Sequence, residues 1–185
     1  GLIDDSNRAR GAAVGAGLGA LACVAANAMT KQTRTAQQVE DVYRASNKGA
    51  LPADSRVSGY HVTISPSDSV KAGSKFQVVS TIDVIQGSRV PVAELKERVI
   101  LYRADKPGEV LTTLDKVASR NAASGTFENT FSFSLPQGVP QGSYPIQTIV
   151  YLNGQAADRR TSRVQVVSID KQPVAACIRQ ECGLF

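Results

Sequence analysis

From Val57 onward apolar side chains recur at every second position. Tyr60, Val62 and Ile64 alternate with His61, Thr63 and Ser65, and Phe76, Val78, Ile82 and Val84 alternate with mostly polar neighbours. A period of two sends one set of side chains to one face of an extended chain, whereas a helix would scatter them around its axis. These residues therefore predict two strands, separated by the turn-rich stretch PSDSVKAGS. Val99 and Leu101 mark a third strand, and residues 109–114 a short fourth. Phe127, Phe131, Phe133 and Leu135 share one face of a fifth, with Glu128, Thr130, Ser132 and Ser134 on the other. The last two are expected over about residues 144–152 and 160–169, joined at Asn153-Gly154. Seven short strands with frequent turns favour a Greek-key sandwich over a closed barrel.

Within that pattern, SFSLPQGVPQGSYPIQTIVYLNGQ resembles the penultimate-strand region of bacterial immunoglobulin-like and fibronectin type III-like domains. The resemblance rests on Leu135, Gly142, Tyr144, Ile146 and the Asn153-Gly154 turn, and its fold-level match covers roughly residues 57–169. It implies that Tyr144 occupies a tyrosine-corner position. With no Trp and no core cysteine pair, an antibody-type domain is excluded.

Ahead of the β pattern lies an uncharged run, residues 11–29, GAAVGAGLGALACVAANAM. As a helix it would span about 28 Å, close to the hydrocarbon thickness of a bilayer. Ala and Gly dominate it, so lipid alone would hold it weakly. Gly11, Gly15, Gly19, Cys23 and Asn27 recur every four residues, which would place five small or short side chains on one helical face and admit a second backbone closely. The run resembles the glycine-zipper segments of bacterial outer-membrane and periplasmic proteins, lipoproteins among them; Cys23 and Asn27 depart from the small-residue pattern. Residues 30–48 read as a helical continuation, with Ala36, Val39 and Tyr43 along one side, a Glu40–Arg44 pair, and stops at Gly49 and Pro52. The expected fold is thus mainly β, an immunoglobulin-like Greek-key sandwich preceded by a long N-terminal helix. Its expected divisions are a helix and stalk over 1–52, the sandwich over 53–170 and a tail over 171–185.

The formal net charge of +5 is spread along the chain: six basic and four acidic residues lie in 1–52, fifteen and twelve in the rest. No segment forms a basic block, and the nearest approach, Arg159, Arg160 and Arg163, reads as a solvated or edge-protecting strand face. Nucleic acid is not expected as a partner. Of three cysteines, Cys177 and Cys182 sit close enough to close a short disulfide loop, which would place the chain in an oxidising compartment such as the periplasm. Gly1 in place of Met reads as a processed product. No metal site or cofactor is expected: there is one His, His61, on the apparent solvent face of a strand, and no CxxC. A hydrolase triad has no base to draw on, and GAGLGA lacks the strand and Lys of a phosphate loop, so no catalytic residues are assigned. The expected function is a non-enzymatic structural or assembly component of the bacterial envelope, in the periplasm or at the outer membrane. It would self-associate, or join other envelope proteins, through its helix, with membrane association. A filament subunit and a tethered adhesion or carbohydrate-binding module are the alternatives.

Overall fold

A computed structural model of the chain describes residues 24–120 and 123–168. Two sheets face each other. One has the order β1-β7-β4-β2, formed by β1 (Ala25–Arg34), β2 (Arg56–Ser65), β4 (Lys75–Ile85) and β7 (Gly125–Ser134). The other has the order β3-β9-β8-β5-β6, formed by β3 (Ser69–Lys71), β5 (Glu94–Tyr102), β6 (Val110–Arg120), β8 (Gly142–Leu152) and β9 (Gln155–Val167). These strands pair antiparallel except β3 with β9, and an isolated parallel bridge joins Asp54 to Val90. The chain changes sheets between β2 and β3, β3 and β4, β4 and β5, β6 and β7, and β7 and β8, so neither sheet is built from one run of hairpins.

The alternation read from the sequence is what fills the space between the sheets. Phe76, Val78, Phe131 and Phe133 meet Val99, Leu101, Ile146 and Val164 in one cluster, with the Phe76 and Phe133 rings stacked at 5.2 Å. Ile82, Val84 and Phe127 meet Leu95, Val150 and Leu152 in a second cluster. The short fourth strand is longer than its apolar residues suggest, running from Val110 to Arg120, because it pairs along the whole of β5. The turn-rich stretch PSDSVKAGS contains β3, whose Val70 is buried; three residues with one apolar side chain are too few to show a period.

The principal correction lies before the sandwich. Residues 25–34 are not helical: they form β1, which runs antiparallel to β7 from Ala25 opposite Ser134 to Arg34 opposite Thr126. Ala26 and Ala28 turn toward the core while Asn27 and Met29 face solvent. This is a period of two concealed by small side chains. Helix propensity, a few tenths of a kcal/mol per residue, gives way to the edge hydrogen bonds and burial that β7 offers. Among the described residues helix is confined to α1 (Ala36–Ser46), opened by a capping box between Thr35 and Gln38. Glu40 and Arg44 approach to 3.7 Å, and Gly49 returns its N–H to the Arg44 carbonyl at 2.8 Å. Buried Val39 and a Ser124–Glu40 hydrogen bond of 2.7 Å seat α1 over β4 and β7. The sandwich therefore draws one edge strand from the segment assigned to the stalk, and residue 52 does not mark where it begins.

Both ends of the described chain lie at one pole. Ala25 is paired to Ser134 beside Lys75, and Ala72, a few residues earlier, donates its N–H to the Val167 carbonyl.

Candidate functional site

Glu97 projects from β5 on the same face as Leu95, Val99 and Leu101, and it has no solvent exposure. A carboxyl placed there must find donors or stay protonated. Its Oε1 accepts the Tyr60 hydroxyl at 2.5 Å; its Oε2 accepts the Ser80 hydroxyl at 2.5 Å and the Asn129 amide at 2.8 Å. Tyr60, Ser80 and Asn129 stand on β2, β4 and β7. The fourth strand of that sheet joins through Thr30 of β1, whose hydroxyl donates to Asn129 Oδ1 at 2.6 Å. All four strands of one sheet thus converge on one acid of the other.

Burial raises the Glu97 carboxyl above its ordinary range, and it outweighs the three donors, which pull the other way. Burial likewise pushes the Tyr60 phenol up, reinforced by the neighbouring carboxyl. Thr148 of β8 is close enough to Tyr60 to favour its ionised form, yet its own hydroxyl is buried without a partner of hydrogen-bond geometry. The node is sealed and contains no Ser–His or Cys–His pair, so what it can do is fasten the sheets in one register.

Arg160 closes the open side of the sandwich: its guanidinium lies 5.3 Å from the Tyr60 ring centre and donates to the Tyr60 carbonyl at 3.3 Å. The three arginines of the last strand are thereby divided. Arg160 turns inward, opposite Thr148, while Arg159 and Arg163 are exposed on the outer face, opposite Ile149 and Pro145. On the same face β5 contributes Lys96 and Arg98. Arg98 is held by Asp115 in a two-pronged ion pair of 2.7 and 2.8 Å, and Lys96 Nζ and Arg98 Cζ lie 5.1 and 5.7 Å from the Tyr151 ring centre.

Other expected site residues are distributed as follows. Asn27 is exposed on β1 opposite Ser132, so it cannot share a helical face with the residues before it. Gly11, Gly15, Gly19 and Cys23, and the pair Cys177 and Cys182, lie outside the described residues. Tyr144 is buried at the start of β8 and its hydroxyl donates to the Pro140 carbonyl at 2.6 Å, tying the preceding loop to the strand. His61 is exposed on β2. Among the described residues no three His, Cys, Asp or Glu side chains converge to hold a metal, and no helix is long and apolar enough to cross a membrane.

No protein-family model matches this chain, and no curated protein does. Among solved structures, the CARDB domain of a Pyrococcus furiosus protein, determined with di-metal ions, aligns at 17% identity and TM-score 0.39 over 59% of this chain and 88% of its own. A superoxide reductase (neelaredoxin) from Ignicoccus hospitalis aligns at 17% identity and TM-score 0.41, over 60% and 82%. A Niemann-Pick type C2 protein from the Japanese carpenter ant aligns at 10% identity and TM-score 0.39, over 64% and 96%. Similarities this distant assign neither family nor activity.

Proposed function

We propose that this chain is a non-enzymatic structural or assembly component of the bacterial cell envelope, an immunoglobulin-like Greek-key sandwich that carries and positions an N-terminal glycine-repeat segment. The observation that supports this reading is the junction between the two parts. Val24 is 6% exposed within the core cluster, and β1 follows it at once as an edge strand. A tether would leave slack there; a strand bonded along β7 does not. The point at which the chain enters the sandwich is thereby fixed at Val24. The Tyr144–Pro140 bond is the geometry of a tyrosine corner and supports the immunoglobulin-like assignment.

Gly15→Leu in the full chain tests the assembly role. The extra isobutyl group adds apolar surface, which favours simple insertion into lipid, but it holds neighbouring backbones apart. The expected result is loss of the oligomer on native gels with the sandwich melting unchanged. An assembly that survives, or a wild-type chain that is monomeric in envelope fractions, would return the segment to the role of a plain anchor.

A further inference from the structure

A charge distribution that is even along the sequence is uneven in the fold. β5 and β9 are about sixty residues apart in the chain, but β8 alone separates them in the sheet. The pairings Arg98–Ile149 and Ile149–Arg159 set Arg98 and Arg159 two strands apart, about 10 Å. Lys96 lies one side-chain step from Arg98, and Arg163 two steps from Arg159, about 7 and 13 Å along their strands. Against these four cations the same face offers two carboxylates, Asp115, engaged by Arg98, and Glu94, engaged by Arg120 at 3.7 Å. Among the described residues neither Lys96, Arg159 nor Arg163 has a carboxylate within ion-pair distance. The outer face of the opposite sheet is different in kind: Ser132, Thr130, Gln77, Thr81 and Thr63 dominate it, and its Lys31 is paired with Glu128 at 3.6 Å.

We propose that the outer face of the five-stranded sheet, through Lys96, Arg98, Arg159 and Arg163, docks on an anionic lipid surface. The inference rests on the envelope reading above, and three features favour lipid over other polyanions. The cations spread across three strands of a sheet, not along one line that could track a nucleic-acid strand. Its central ring, Tyr151, is already flanked by two cations, so it does not offer the free face on which a nucleobase stacks. The half-buried Tyr151 beside Lys96 and Arg98 matches the pairing of aromatic and snorkelling basic side chains found at membrane interfaces, while Ile149, between Arg98 and Arg159, is buried and presents no surface to lipid. Each Lys or Arg brought to such a surface adds about fivefold in affinity, and the gain fades with salt.

The test is flotation of the full chain with vesicles of phosphatidylcholine, and with vesicles in which phosphatidylglycerol replaces part of it. The expected result is tighter binding to the anionic vesicles, abolished by raised salt. Arg159→Ser with Arg163→Ser should cost about 25-fold of that increment, whereas Lys75→Ser on the other sheet leaves it intact; unchanged melting of each variant excludes misfolding. Equal binding to both vesicle types, or an increment untouched by the double substitution, overturns the proposal. Stronger binding to a DNA oligonucleotide or to polyglutamate at the same salt overturns the choice of lipid. Binding to neutral vesicles alone, with oligomers still sensitive to Gly15→Leu, sinks the basic face and leaves the assembly role standing.

Discussion

Replacing Glu97 by Gln should stabilise the protein at neutral and alkaline pH and remove part of its pH dependence. The folded-state carboxyl titrates above its unfolded value because burial disfavours the anion. Its contribution is therefore complete below the unfolded value, near pH 4.3 or about that, and is lost as pH rises through the folded one. Between those limits wild-type stability should fall by about 1.4 kcal/mol per pH unit from this group, then level off. Gln fits the same donors and acceptors as the protonated acid. Asn129 Oδ1 is taken by Thr30, so Asn129 must donate to the node; the Gln carbonyl belongs on the side of Asn129 and Ser80, its amide on the side of Tyr60. Tyr60 can then turn its own proton toward Thr148, which lacks a partner. The assay is urea denaturation of both proteins from pH 4 to about pH 9, with the difference between them isolating this group from other carboxylates. Curves that stay parallel across the range would falsify the reasoning, because they mean Glu97 ionises in the folded protein as readily as in the unfolded one. Glu97→Ala is the contrasting control: it strands three buried donors, and should cost about 3–5 kcal/mol at low pH, where the wild-type carboxyl is protonated, and less as pH rises through the folded value.

Thr148→Val should raise stability by about 1 kcal/mol, since it removes a buried hydroxyl without a partner and keeps the volume; a loss in urea melts would show that the hydroxyl is bonded after all. Tyr144→Phe should lower stability by about 1–2 kcal/mol through the Pro140 bond, with the circular dichroism spectrum unchanged. A chain that starts at Val24 should melt as the full chain does, whereas one that starts at residue 53 loses β1, the Thr30 bond and α1 and should be markedly less stable or prone to associate through bare β7. Equal melting of the two truncations would mean that β1 contributes nothing to the fold.

The sandwich was legible because its strands carry Val, Ile and Phe at alternate positions, and each such side chain has one available face. β1 was not, because Ala26 and Ala28 signal helix as strongly as strand and only the edge of β7 decides between them. The polar node was half legible: Leu95, Glu97, Val99 and Leu101 share a parity, so a strand through them had to bury an acid. Its partners were not, since Thr30, Tyr60, Ser80 and Asn129 are polar residues spread over a hundred positions and only strand order brings them to one point. The basic face was hidden for the same reason, and the arginine cluster that did show in the sequence was partly misleading, because Arg160 points the other way.

The two ends of the described chain leave from the same pole, and this has a mechanical consequence. Tension between residues 24 and 168 would not draw the sandwich out along its long axis; it would load the β1–β7 ladder and the β3–β9 contact at that pole and leave the opposite end slack. The far pole, where the Asn153 side chain accepts from the Ala93 and Glu94 N–H groups and donates to the Pro91 carbonyl, would carry none of that load and keep its shape.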